Sequence, residues 1–192
     1  MMIGEWCFYN SRFSKEQCDW ILTEGMKIPS QQASLGVNNM NVGINTDYRR
    51  STVRFITKEH TQFNWLFDEM WRMAIEANDQ WFGFHLSRLD YIQLAEYDAE
   101  YEGEYKRHHD VFWINNTNYH RKLTAVVQLT DPSEYEGGNL ILFNQNQPLD
   151  PNQIKNQGSA VFFPSFIEHQ AEKVTKGKRY SLAVWWDGPH WR

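Results

Sequence analysis

His108 and Asp110 stand two residues apart and offer one metal ion an imidazole and a carboxylate. On an extended strand, residues i and i+2 project from the same face, so both side chains can turn toward a common centre. A third ligand has to come from elsewhere, and His169, at the end of the stretch 163–169, is a good candidate. Two imidazoles and one carboxylate leave further coordination positions open, a set that suits non-haem Fe(II) working on dioxygen. A His-x-Asp triplet is common by chance, so the residues that follow His169 matter. Residues 170–181 lead into the apolar run 182–186, and Arg179 and Ser181 share one face of the strand this run predicts. A guanidinium beside a hydroxyl can hold a carboxylate through charge-assisted hydrogen bonds, with a planar fork that lysine lacks. Strand alternation admits only one of Lys178 and Arg179 to that face, and the Arg-x-Ser spacing favours Arg179.

Taken in order, a longer set of residues carries a family resemblance. Tyr97 or Tyr101, Gly103, Tyr105, His108, Asp110, the run 126–132, the run 135–140 with its Gly137-Gly138 pair, His169 and residues 174–180 form that set. In this set the chain resembles the Fe(II)/2-oxoglutarate-dependent dioxygenases of the prolyl 4-hydroxylase type, especially the bacterial and phage hydroxylases of that group. The strong part covers residues 92–186, about half of the chain, and the first ninety match more loosely. The resemblance implies a mainly β fold, a double-stranded β-helix (jelly roll, cupin-like), with N-terminal helices packed on one side. It also implies a catalytic set of His108, Asp110, His169 and Arg179, with Fe(II) on the first three. 2-Oxoglutarate would chelate the metal through its 1-carboxylate and 2-keto oxygens, with Arg179 and Ser181 on its 5-carboxylate. Dioxygen takes the last position, and ascorbate is an accessory expectation. Some members of the family place a lysine where Arg179 stands. More distant prolyl hydroxylases have a tyrosine at the position of Gln128, which can still donate a hydrogen bond to the cosubstrate. The tyrosine contact then falls to Tyr97, Tyr101 or Tyr105, among which the sequence does not choose.

The implied reaction is hydroxylation of an unactivated C–H bond with decarboxylation of 2-oxoglutarate to succinate. A prolyl residue in a peptide or protein is the leading substrate. The alternatives are a free amino acid or other small molecule, or an inactive jelly-roll binding module. A binding module has no need of a 2-oxoglutarate anchor, so Arg179 counts against the last. Repair of alkylated nucleobases uses the same chemistry, but a net charge of -5 without a basic stripe makes nucleic acid a poor partner.

The elements that must position these residues are legible in outline. Residues 5–9 read as a strand, and Ser14 with Gln17 forms a capping box ahead of a helix ending at Gly25. Residues 30–46 read as a polar loop or weak hairpin. Arg49 and Arg50, with a solvated surface as their default place, lead into a strand over 51–56. Phe63, Leu66, Phe67, Met70, Ala74 and Ala77 make an apolar helical stripe that should pack across a sheet. Strands follow at 92–97, 123–129, 139–143, 159–163 and 180–186, separated by Gly, Pro, Asn and Asp clusters. Residues 111–122 are either a segment that closes over substrate or an ordinary β–β connection with Trp113 packed on the body. His109 faces away from the proposed ligands, and His60, His85, His120 and His190 lack a ligand partner at motif spacing.

The 192 residues are expected to form a single domain, 1–192, with 1–90 a helical and strand extension and 91–187 the jelly-roll core. Aromatic residues make up 16% of the chain, nine of them Trp, so aromatic packing should dominate the core. Cys7 and Cys18 are too few for a disulfide framework and read as buried thiols of a reducing compartment. No apolar run is long enough to span a bilayer, and residues 1–5 lack a signal peptide's charged start. The expectation is a soluble, cytoplasmic protein with no membrane partner.

Overall fold

The structure is a computed structural model describing residues 4–33, 36–37, 40–41 and 45–192, the two dipeptides as backbone only. The chain runs β1 (Cys7–Tyr9), α1 (Lys15–Gly25), β2 (Gln31–Gln32), β3 (Gly36–Val37), β4 (Met40–Asn41), β5 (Arg49–Arg50), β6 (Thr52–Thr57) and α2 (Asn64–Ala77). It continues through β7 (Tyr91–Asp98), β8 (Glu104–His108), β9 (Tyr119–Gln128), β10 (Tyr135–Gly137) and β11 (Leu140–Leu142). The last three strands are β12 (Ala160–Pro164), β13 (His169–Ala171) and β14 (Val174–Pro189).

The capping box forms as read: Ser14 Oγ accepts the Gln17 N–H at 3.2 Å while Gln17 Oε1 accepts the Ser14 N–H at 2.8 Å. Two orphan donors of α1 are satisfied at once, and the helix ends at Gly25 as expected. The predicted stripe of α2 is buried along its length, with Met73 added to it. Residues 34–35, 38–39 and 42–44 of the expected loop lie outside the described residues, and β3 pairs antiparallel with β4 between them.

A large antiparallel sheet has the order β1-β12-β9-β14-β7-β6-β2, with β10 also on β14. A smaller one has the order β11-β13-β8-β5. Period-two alternation then divides the chemistry from the core. On β14, Leu182, Val184 and Trp186 point to the helices, where they share a core with Cys18, Ile21, Leu66 and Met70. Their neighbours Arg179, Ser181, Ala183 and Trp185 point the other way, into a cleft between the sheets. The same division holds on β7, where Ile92 and Leu94 join the helical core while Gln93 and Tyr97 line the cleft. Each fully buried aliphatic or aromatic side chain on the helical face contributes about 1.5–3 kcal/mol, which fixes register and therefore which residues look into the cleft. This is the jelly-roll arrangement with helices on one side. The first ninety residues supply the helices and also β1, β2 and β6 of the large sheet and β5 of the small one.

Both cysteines are buried and free, and burial first, with Glu76 or Asp19 nearby, pushes their thiols up to about 12. They are inert packing groups. No helix among the described residues is long and apolar enough to cross a membrane.

Candidate metal and carboxylate site

His108 is the last residue of β8 and His169 the first of β13, and the two face each other as cross-strand partners. Their ring centroids are 4.2 Å apart. Asp110 lies just beyond the end of β8, so the pair does not ride on one regular strand as the spacing alone suggests. Its backbone N–H donates to Ser165 O at 2.8 Å, and Thr124 Oγ1 donates to Asp110 Oδ2 at 2.9 Å. These anchors from β9 and the turn after β12 aim the carboxylate back at the imidazoles. His169 Nε2 then stands 3.5 Å from Asp110 Oδ2 and His108 Nε2 3.8 Å from Oδ1. All three ligand atoms fall within 4.8 Å of one another.

The tautomers follow from the neighbours. His108 Nδ1 meets Lys106 O at 2.7 Å and His169 Nδ1 meets Ile167 O at 3.0 Å. A carbonyl only accepts, so each Nδ1 carries the proton and each Nε2 presents a lone pair toward Asp110. Tying the distal ring nitrogen to a carbonyl is how proteins orient metal-binding histidines. Burial first, then His169, pushes the His108 imidazole down to about 3 against the opposing pull of Asp110. Burial alone would push the Asp110 carboxyl up, but His169, His108, Arg121 and the Trp185 indole outweigh it and hold the group at about 2. A ring nitrogen with a free lone pair and an ionised carboxylate are what a divalent cation requires of such a set. The residues present therefore fit Fe(II).

Arg179 is 1% exposed and lies in the same cleft, which encloses about 440 Å³ including its open mouth. Ser181 lies beside it on the cleft wall. Lys178 faces outward instead, bonded to Asp98 at 2.6 Å with its side chain 47% exposed, so the register chosen from the Arg-x-Ser spacing holds. Gln128 departs from its expected place. It sits beneath Arg179, not on the cleft wall, and its Oε1 accepts from Arg179 Nε at 3.2 Å and Nη2 at 3.0 Å. Gln128 Oε1 thus braces the guanidinium from below. Tyr97 and Tyr105 both line the cleft, whereas Tyr101 turns away and donates to Glu96 O at 3.1 Å. Tyr105 stacks on His108 at 3.4 Å between centroids.

One residue was placed wrongly from sequence. Arg49, expected on a solvated surface with Arg50, is 6% exposed and lines the cleft. Its guanidinium lies 4.3 Å above the Tyr105 ring, and its Nε donates to Ser51 Oγ at 2.8 Å. Arg50 does face outward, paired with Glu104 at 2.6 Å. The alternation Arg49-Arg50-Ser51 holds the signal, since only one arginine of the pair can share a face with Ser51. Thr124, Gln93 and Trp185 also escaped notice, being ordinary strand residues in the sequence.

The remaining histidines stay apart from this cluster. His120 and His190 stack on each other at 4.2 Å, and His109 approaches the edge of Trp113 at 6.2 Å. Trp113 also meets His120 but remains 50% exposed, so the 111–122 segment is only partly packed on the body.

A jelly roll holding a two-histidine, one-carboxylate cluster and a buried arginine in one cleft defines a non-haem metal oxygenase architecture. Solved structures of the same fold include a Pseudomonas putida prolyl-4-hydroxylase, at TM-score 0.67 and 19% identity over 95% of this chain and 92% of that one. Another is a Trichoplax adhaerens prolyl hydroxylase in complex with a hypoxia inducible factor oxygen degradation domain peptide fragment, at TM-score 0.73 and 18% identity, covering 95% and 83%. At these identities the likeness is one of fold. The 2OG-Fe(II) oxygenase superfamily model matches residues 92–187, half of the chain, and the chain belongs to that superfamily. Among curated relatives, a PKHD-type hydroxylase of Colwellia psychrerythraea is 30% identical over 76 residues, 40% of this chain and 33% of the relative. The PKHD-type hydroxylase YbiX of Shigella sonnei is 26% identical over 109 residues, 56% of this chain and 38% of the relative. The matched stretch thus spans about a third of the length of these relatives, 33% of one and 38% of the other.

Proposed function

We infer that this chain is an Fe(II)- and 2-oxoglutarate-dependent hydroxylase of an unactivated C–H bond, acting on a prolyl residue in a peptide or protein. The observation that carries the reading is the pairing, in one cleft, of two Nδ1-tied imidazoles and an ionised carboxylate with a buried guanidinium that has no carboxylate partner among the described residues. His108, Asp110 and His169 would hold the metal through Nε2, a carboxylate oxygen and Nε2. When bound, iron and 2-oxoglutarate supply the chemistry: one oxygen atom of dioxygen enters the C–H bond and the other the succinate left after loss of carbon dioxide. The protein's own part is orientation and exclusion. Arg179, fixed by Gln128, holds the distal carboxylate with Ser181, and this sets the distance from that anchor to the metal end. Thr124 and Ser165 keep Asp110 aimed, so it does not swing toward the substrate side. Tyr105, stacked on His108, walls the cleft where the reacting carbon would enter. The prolyl preference is supported by the fold shared with prolyl hydroxylases, one of them solved with a peptide.

The test is a screen of proline-containing peptides and of free amino acids with Fe(II), 2-oxoglutarate and ascorbate. Expected are succinate formation and a mass gain of one oxygen on a prolyl peptide. Succinate without any prolyl product, or oxygen gain only on a free amino acid, contradicts the substrate part of the reading.

A further inference from the structure

The arginines of this chain divide by partner. Arg12, Arg50, Arg54, Arg72, Arg88 and Arg107 each stand within ion-pair distance of a carboxylate. Among the described residues, Arg49 and Arg179 are the buried arginines that do not, and both line the same cleft. Removing a guanidinium from water is costly, and arginine cannot escape by losing its proton. For Arg179 the proposed function supplies the missing anion as the distal carboxylate of 2-oxoglutarate. That leaves Arg49, whose contacts are the Ser51 hydroxyl on Nε and the face of Tyr105. A hydroxyl and a ring offset part of the desolvation but bring no negative charge, and they leave the Nη edge of the fork without an acceptor among the described residues. Through Tyr105, Arg49 is one stacked ring away from His108, next to where a substrate carbon must lie. Arg49 therefore brings to the cleft a positive charge that has no carboxylate at ion-pair distance among the described residues.

We propose that Arg49 selects substrates bearing a carboxylate close to the C–H bond that is hydroxylated, supplied by the free main-chain carboxylate of the reacting residue or by an acidic side chain next to it. This rests on the proposed function for the place of the substrate. It goes beyond that function in naming an anionic substrate and the group that reads it. Arg49 is a specificity-determining residue here, and the hydroxylation itself needs only the metal and its cosubstrate.

The experiment uses the full chain loaded with Mn(II) and N-oxalylglycine, an unreactive stand-in for 2-oxoglutarate, so that Arg179 is occupied. The probes are the N-acetyl derivatives of the amino acids, each as free acid and as primary amide, and N-acetyl-Pro-Glu-amide against N-acetyl-Pro-Gln-amide. Binding is followed by intrinsic tryptophan fluorescence. Expected is a preference of about 10- to 100-fold for the acid of the best-bound pair, the size of one charge-assisted interaction. In Arg49→Gln that preference should vanish while amide binding stays within about twofold, and Arg49→Lys should restore part of it. Preference within the acid/amide series points to a main-chain carboxylate, and within the Glu/Gln pair to a side chain. Equal binding of acid and amide in every pair, or no binding of any acid, overturns the proposal. So does a loss in Arg49→Gln that strikes acids and amides alike in a protein of native near-UV circular dichroism. Should that variant not fold, Arg49→Lys carries the assignment by a weakened acid preference, and equal binding of acid and amide in the unaltered chain still overturns the proposal. Failure of Mn(II) or N-oxalylglycine to bind is seen separately and strikes the underlying function instead.

Discussion

Replacing Arg179 by alanine tests the cosubstrate end of the cleft most sharply. Two of its five N–H groups, on Nε and Nη2, are already engaged by Gln128 at 3.2 and 3.0 Å, leaving the Nη edge for a ligand. Because the group is 1% exposed, solvent does little to screen the pair it would form. Hydrogen bonds to a charged partner contribute about 1.5–3 kcal/mol, so Arg179→Ala should weaken 2-oxoglutarate binding by about 10- to 100-fold. Fe(II) affinity should hardly change, since the guanidinium is not among the three groups that converge on the metal position. Arg179→Lys should regain only part of the loss, because a point charge cannot meet Gln128 and a carboxylate with one planar fork. Lys178→Ala should leave 2-oxoglutarate binding within about twofold, as that ammonium is an exposed surface group paired with Asp98. The assay is anaerobic titration of the Fe(II) protein with 2-oxoglutarate, followed by the charge-transfer absorption of the complex. A larger loss in Lys178→Ala than in Arg179→Ala would refute the register on β14. No loss in either would refute 2-oxoglutarate as the ligand of this cleft.

Gln128→Leu removes the acceptor under Arg179 with little change of volume, and should cost about 1–3 kcal/mol of stability by urea unfolding. The same change should weaken 2-oxoglutarate binding, since the guanidinium is no longer held in place, while Fe(II) affinity is kept; unchanged 2-oxoglutarate binding would count against Gln128 as the positioner of Arg179. Asp98 gives a pH test. Burial would raise its carboxyl, but the Glu100 N–H and Lys178 hold it below the ordinary range. Its contribution to stability is therefore complete above the unfolded value of about 3.9 and is lost as the pH falls through the lower folded value. Asp98→Asn should be less stable than the native chain at neutral pH, and the gap should close on acidification, as read by thermal unfolding from pH 7 downward. A gap that widens in acid would contradict the assignment.

What the sequence disclosed depended on whether the signal was local. His108 and Asp110 are two residues apart, and Arg179 is separated from Lys178 by strand alternation alone, so both could be read directly. Ser14 with Gln17, and the α2 stripe, are likewise short-range patterns. His169 stands out in the sequence only as a candidate third ligand, because its meeting with His108 is made by the pairing of β13 with β8 across the chain. Arg49 was missed for the same physical reason. Its burial arises where β5 pairs with β8 and sets it opposite Tyr105; alternation shows that it shares a face with Ser51, but not that this face is buried. Gln128 shows a subtler limit: the strand face was right, but what lies between it and the cleft is the length of Arg179, which only packing reveals. Asp110 sits beyond its strand, so its aim comes from Ser165 and Thr124 rather than from regular alternation.

The central claim is that His108, Asp110 and His169, and not His109, hold one divalent iron. The direct measurement is anaerobic Fe(II) binding, by equilibrium dialysis with metal analysis, on the native chain and on His108→Ala, His109→Ala, Asp110→Ala and His169→Ala. One iron per native chain is expected, with binding lost in the three ligand variants and retained in His109→Ala, whose ring approaches Trp113 instead. Iron retained at native affinity after loss of any of the three, or lost from His109→Ala as fully as from His108→Ala, would contradict the account.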